Sequence, residues 1–212
     1  MANVLVIGAS KGIGLETVGV ALKAGHRVRA FSRSGGRLSV AHPGLETRRG
    51  DALNPDDIDG ALEGIDVVIQ ALGVASRDLI SPVTLFSNAS RILVPAMERR
   101  AVRRLISVTG FGAGDSRAAI NCAQRVPFRL FLGRAYDDKD VQEQLIKDST
   151  LDWTIVRPGV LVPGPASYRY KVLVEPAQWR NGFISRADVA DFLVKQVAAT
   201  EFLRRAPVIV RF

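Results

Sequence analysis

The chain has 212 residues, 47% of them hydrophobic and 24% charged, with a formal net charge of +8 and one cysteine, Cys122, the profile of a soluble globular protein long enough for a full core and expected to form a single domain over 1–212. A lone cysteine excludes an internal disulfide and fits a reducing, cytoplasmic compartment. No apolar stretch is long enough to span a bilayer, and the first apolar run lacks the charged flank and the length of a signal peptide, so no membrane partner is expected.

The first element is a strand, Asn3–Ile7, and it runs straight into Gly8-Ala9-Ser10-Lys11-Gly12-Ile13-Gly14. A helix follows, with Ile13, Thr17, Val20, Ala21 and Ala24 spaced along one face, and Gly25 ends it. A strand, a glycine turn and a helix start together make a pyrophosphate site, because the first N–H groups of a helix lack partners and carry the positive end of its dipole. Gly8 allows the tight turn, Gly12 lets the backbone approach the phosphates, and Gly14 lets the helix pack on the strand. The spacing Gly-x-x-x-Gly-x-Gly differs from the commonest dinucleotide fingerprint, but its place after a strand and before a helix supports dinucleotide binding.

Strand two is Arg27–Ser32, and the turn Ser34-Gly35-Gly36 leads to strand three near Leu45–Arg49. Asn54 caps a helix through about Leu62, with Pro55 at its first position and acids in its first turn. Val67–Ile69 is strand four. Ser81-Pro82 opens a long helix with Leu85, Ala89, Ile92 and Ala96 inward, and Pro95 is expected to kink it. Strand five is Leu105–Val108, a helix spans Asp137 to Lys147, and strand six is Trp153–Val156. Ser185 starts a last helix, and Val208–Val210 closes the sheet as an antiparallel or edge strand. The alternation predicts an α/β fold: a Rossmann doubly wound, mostly parallel sheet with helices on both faces. Two stretches break it, near 111–136 and 162–183. Both follow strand ends on the edge where open parallel sheets bind ligands, so they are expected to cover a substrate.

Which dinucleotide is bound turns on the end of strand two. An acid there would accept the ribose hydroxyls of NAD(H); instead it reads Phe31-Ser32-Arg33-Ser34, with Arg37 nearby and Lys11 in the glycine turn. Ser32, Arg33 and Arg37 suit a 2′-phosphate, so NADP(H) is preferred over NAD(H). The arginines at 91, 99, 100, 103 and 104 read as a solvated helix end rather than a nucleic-acid patch, since no interleaved aromatics accompany them. His26 and His42 sit in turns away from any cluster of ligand-type residues, so no metal site is expected.

Gly50-Asp51, Ile65-Asp66-Val67-Val68, Ala71-Leu72-Gly73, Trp153-Thr154-Ile155-Val156-Arg157-Pro158-Gly159 and Ile184-Ser185-Arg186-Ala187-Asp188-Val189-Ala190 follow in order. In this order and spacing the chain resembles the atypical short-chain dehydrogenase/reductases, and within them the NmrA-like NAD(P)H-binding proteins that include flavin reductase/biliverdin-IXβ reductase. The resemblance implies that Ser10, Lys11, Gly12 and Ile13 wrap the phosphates and that Arg33 meets the 2′-phosphate. Asp51 and Ala52 would flank the adenine, and Ala71, Leu72 and Gly73 its ribose. Thr109 would face the nicotinamide side, Lys139 would hold a ribose, and Pro158 and Gly159 would pass the carboxamide.

The chain departs from the family in its catalytic pair. The tyrosine-dependent branch uses Tyr-x-x-x-Lys; here Tyr136 and Lys139 are three apart, Ala135 holds the tyrosine place, and Gly110 follows Thr109 where a hydroxyl is usual. Tyr136 then reads as a wall or solvent residue unless its helix begins irregularly. Thr109, Tyr136 and Lys139 remain the catalytic candidates. A conjugated acceptor such as a flavin, quinone or tetrapyrrole needs only a hydride held against it and a proton from water or a weak donor. Phe111, Phe128, Phe131 and Tyr168 are candidates for the apolar shelf that holds it. The leading expectation is therefore an NADPH-dependent reductase of such an acceptor, acting as a monomer or small homo-oligomer. The alternative is a non-catalytic NADP(H)-binding sensor, regulator or assembly factor. A nucleotide-sugar epimerase or dehydratase is disfavoured by the missing tyrosine and the short C-terminal part.

Overall fold

The strands that run apolar on both faces set the architecture. Val67, Val68 and Ile69 are all buried, as are residues 4–7 and 105–108, the pattern of strands that helices cover on two sides. The structure, a computed structural model, describes residues 1–35, 41–74 and 83–212; side chains are not described at 122–125, 127, 128 and 131. Its strands are β1 (Asn3–Ile7), β2 (Arg27–Ser32), β3 (Leu45–Arg49), β4 (Val67–Gln70), β5 (Arg104–Val108), β6 (Asp152–Pro158), β7 (Val160–Val162), β8 (Lys171–Leu173), β9 (Phe183–Ser185) and β10 (Val208–Val210). Its helices are α1 (Gly12–Lys23), α2 (Pro55–Ala61), α3 (Leu85–Arg99), α4 (Cys122–Lys147) and α5 (Arg186–Lys195).

Among the described residues eight strands form one sheet in the order β3-β2-β1-β4-β5-β6-β10-β8, and β7 pairs with β9 in a second, two-stranded one. The pairings from β3 to β10 are parallel; only β8 runs antiparallel, against β10. This is the expected doubly wound sheet, and its order reverses between β1 and β4, where a crevice opens at the carboxyl ends of the strands. One core packs α1 and α5 on the sheet, through Val18, Leu22, Val189, Phe192 and Leu193. The other packs α2, α3 and α4, through Ile58, Leu93, Met97 and Ile146. On α1, Val18 and Leu22 carry the burial as well as Thr17 and Ala21, while Ala24 lies exposed beyond the last turn.

Three readings of the sequence change. The helix expected at Asp137 begins at Cys122, so most of the stretch 111–136 that breaks the alternation is the first half of α4. Val208–Val210 is not an edge strand; it pairs parallel to β6, and β8, drawn from the 162–183 stretch, takes the antiparallel edge. The helix α3 that carries Pro95 runs from Leu85 to Arg99. Arg100, Arg103 and Arg104 are not simply solvated: Arg100 pairs with Asp59, Arg103 with Asp152, and Arg104 donates to the carbonyls of Gln196 and Asp152. The start expected at Ser81-Pro82 lies outside the described residues. No described helix is long and apolar enough to cross a membrane.

Caps hold two helix starts as read from sequence. Asn54 accepts from the Asp56 and Asp57 N–H groups (2.9 and 3.4 Å). The Ser185 hydroxyl accepts from the Asp188 N–H (3.0 Å) and donates to the Asp188 carboxylate (2.9 Å). The same buried carboxylate accepts from the N–H groups of Ser167 and Tyr168 (2.7 and 2.8 Å), which moors the 162–183 stretch to α5.

Candidate functional site

At the start of α1 the chain makes the turn that a phosphate cradle needs. Gly8 has φ +91°, and a Cβ there would stand 2.5 Å from the Ala71 carbonyl oxygen at the end of β4. A Cβ at Gly14 would run into the Gly8 carbonyl, so α1 lies closer to its own strand than any side chain allows. Gly12 (φ +60°) has open space on its Cβ side. The N-terminus of α1 has no side-chain cap, Lys11 occupying the cap position, and no acid in its first turn. Amides at a positively polarised helix start, facing open space, fit a pyrophosphate.

From this cradle a cleft of about 1350 Å³ runs along the carboxyl edge of the sheet, larger than the roughly 300–1,000 Å³ of ordinary small-molecule pockets. Its end beside β2 and the loop after β3 is lined by Ser32, Arg33, Ser34, Asp51 and Ala52. Arg33 is exposed and makes no hydrogen bond or ion pair among the described residues. The Asp51 carboxylate accepts the Leu53 N–H at 3.0 Å. Ala71, Leu72 and Gly73 line the middle.

The far end is built by α4. Lys139 donates its ammonium to the Thr109 carbonyl at 2.5 Å and lies over the rings of Tyr136 and Phe86, 4.8 and 5.1 Å from their centroids. One turn on, Glu143 accepts the Thr109 hydroxyl at 2.8 Å. Two residues one helical turn apart therefore grip a single residue at the end of β5 by its main chain and its side chain. Glu143 is itself buried and paired with the fully buried Arg157 of β6, whose Nε is 2.9 Å from Glu143 Oε1. Asp115 and the Trp179 ring (5.1 Å) close over the guanidinium. A Cβ at Gly114 would strike Glu143 and Arg157, so only glycine admits this pair. Burial lowers the Lys139 ammonium to about 8, partly offset by the Glu143 charge. Burial pushes the Tyr136 phenol up to about 12.

Of the two readings of Tyr136, wall or solvent, the wall position fits, since it lines the cleft. α4 is regular through it, and three residues, like four, place two side chains on one helix face. Its hydroxyl lies against Gly110, where a Cβ would collide with it. The glycine that replaces the usual hydroxyl residue is thus the space that Tyr136 fills.

The cleft brings together Gly8, Ser10, Lys11, Gly12, Ile13, Ser32, Arg33, Asp51, Ala52, Ala71, Leu72, Gly73, Thr109, Tyr136, Lys139, Pro158 and Gly159. Gly14 lies beneath it as a packing residue, and Arg37 is outside the described residues. Of the proposed shelf, Phe111 lines the cleft; Tyr168 does not, being 69% exposed and held on the Asp188 mooring; the side chains of Phe128 and Phe131 are outside the described residues. Sequence reasoning missed Phe86, Asn181 and Arg186, which also line the cleft, and the Glu143–Arg157 pair behind it. No group of three metal-ligand residues occurs among the described residues.

The profile of a protein family described as NAD(P)H-binding matches residues 8–200. Among solved structures, the chain is similar to ChuY, titled an anaerobillin reductase, from Escherichia coli O157:H7, with 26% identity and a TM-score of 0.82 over 98% of this chain and 96% of that one. It shares its fold with a short-chain dehydrogenase/reductase from Veillonella parvula in complex with NADP, at 20% identity and a TM-score of 0.79 over 99% and 94% of the two chains. Among curated proteins it is 23% identical over 211 residues to the photosystem II assembly factor Ycf39 of Synechocystis, covering 96% of this chain but 60% of that protein's length.

Proposed function

Since the chain belongs to the NAD(P)H-binding family, we propose that it is an NADPH-dependent reductase that passes a hydride to a flat conjugated acceptor, of the flavin, quinone or tetrapyrrole kind. The observation that carries this reading is the continuity of the cleft from the α1 cradle to the Thr109–Lys139 end. The cofactor supplies a hydride when bound; Ser10, Lys11, Gly12 and Ile13 would hold its phosphates, and Pro158 and Gly159 its carboxamide. The remaining space is walled by Phe111, Leu132, Val160 and Leu161, apolar surface suited to a conjugated ring system. Similarity to a protein titled an anaerobillin reductase supports an acceptor of this class. Arg33, with no acid at the end of β2, supports NADPH over NADH.

A second reading, a protein that binds NADP(H) without turnover, is favoured by the absent Tyr-x-x-x-Lys spacing and by the similarity to an assembly factor. Oxidation of NADPH, followed by its absorbance with FMN, dichlorophenolindophenol and biliverdin as acceptors, separates the two. Turnover with at least one acceptor is expected. Tight NADPH binding in a fluorescence titration with no turnover would leave the second reading standing.

A further inference from the structure

We infer that Lys139 is the proton donor of this site, delivering a proton from its ammonium to the acceptor, and that Glu143 is the positioning residue that aims it. The inference rests on the reductase reading above and assigns the proton that reading leaves open. Three polar side chains from β5 and α4 face the far end of the cleft. The Thr109 hydroxyl is 2.8 Å from a carboxylate oxygen of Glu143. A carboxylate only accepts, so the proton of Thr109 is committed to it and only a lone pair is left for a ligand. The Tyr136 hydroxyl lies beside Gly110, and burial raises its pKa to about 12, which makes it a weaker acid near neutral pH than the lysine. Lys139 has three N–H donors and spends one on the Thr109 carbonyl. The rings of Phe86 and Tyr136 beneath it stabilise its cationic form, while its burial brings the ammonium within reach of neutral pH.

Three carboxylates of α4 flank Lys139, and Arg186 at the start of α5 lines the same cleft. On α4, Asp138 is turned away to accept the Phe86 and Ser87 N–H groups at the start of α3. Asp140 accepts the Gly114 N–H and pairs with Arg117. Glu143 is shared with Arg157 of β6 and Lys147. Glu143 is thus the carboxylate one helical turn from the ammonium, held rigid by the guanidinium, and it keeps Lys139 charged while its bond to Thr109 fixes the carbonyl that orients the Nζ.

The step balances. The acceptor gains a hydride, with both electrons, from the reduced cofactor. An N–H bond of Lys139 breaks as the proton passes to the acceptor atom that has become basic. The neutral amine is reprotonated from water through the open cleft.

The test combines a rate profile with a titration of the lysine. For wild type saturated with NADPH and a reducible acceptor, kcat is expected to fall as pH rises through about 8. Lys139→Arg keeps the charge but cannot give up a proton, and it is expected to lose about a hundredfold or more in kcat and to lose this alkaline limb. NADPH affinity, read by fluorescence, should remain measurable in that variant. The limb should survive in Tyr136→Phe and move to lower pH in Glu143→Gln. NMR of isotope-labelled lysine, the Lys139 signal being the one missing from Lys139→Arg, should show the same transition near pH 8 and the same displacement. An alkaline limb that persists in Lys139→Arg, or a Lys139 signal that titrates as an ordinary lysine, overturns this inference alone. NADPH binding with no acceptor reduced at any pH overturns the reductase reading and this inference together.

Discussion

Arg33 shows what a single residue contributes. It directly follows strand β2, it lines the cleft beside Asp51 and Ala52, and no described carboxylate engages it. A guanidinium gains most from a phosphate that it can grip with two N–H groups. Arg33→Ala is therefore expected to weaken NADPH binding about tenfold or more and NADH binding about twofold or less, measured by nicotinamide fluorescence titration. Equal losses for both would remove the argument for a 2′-phosphate. Gly110 and Tyr136 show the opposite case. Reading them one at a time makes the tyrosine idle and the glycine a loss, whereas in space the glycine makes the room that the phenol occupies.

Among the elements, α5 and the 162–183 stretch depend on one carboxylate. Burial opposes the charge of Asp188, but hydrogen bonds from the Tyr168 N–H and the hydroxyls of Ser167 and Ser185 outweigh it and hold its pKa below the ordinary aspartate value. A depressed pKa means that this stabilisation is complete above the unfolded aspartate value near 4 and fades as pH falls through the lower folded value. Asp188→Asn is expected to lower Tm at neutral pH, with the gap from wild type closing as pH falls below the ordinary aspartate value, checked by thermal melts across pH. A gap that stays constant with pH would show that the mooring does not depend on charge. The start of α3 makes the same point about distance: Thr84 supplies no cap, and Asp138, some fifty residues on, does so from α4. That contact also sets the turn of α4 that carries Lys139.

For the molecule as a whole, one cleft joins α1, the ends of β2 to β6 and α4, so a cofactor that fills it as proposed should stabilise all of them together. At a concentration about a hundred times its Kd, NADP+ adds roughly 2.7 kcal/mol, which for a chain of this size is about 5–10 °C in Tm. NAD+ at the same concentration is expected to give a smaller rise. Identical rises, or none, in a thermal shift assay would count against the cofactor reading at the scale of the fold.

Local order along the chain was enough to reveal the sheet, the glycine cradle and the caps at Asn54 and Ser185. Each of these depends on residues within a few positions of one another, where periodicity, backbone freedom and capping chemistry act directly. The same short range explains the failures. Nothing near Val208 says that β6 will lie on one side of it and β8 on the other. Pro127 and Gly133 interrupt the helical pattern between Cys122 and Tyr136, so local signals start this helix too late, at Asp137. The Glu143–Arg157 pair, its hold on Thr109 and the glycine that admits it join β5, β6 and α4. Such a cluster exists only once the chain is packed, because burying a charge is tolerable only where its partners, distant in sequence, arrive together.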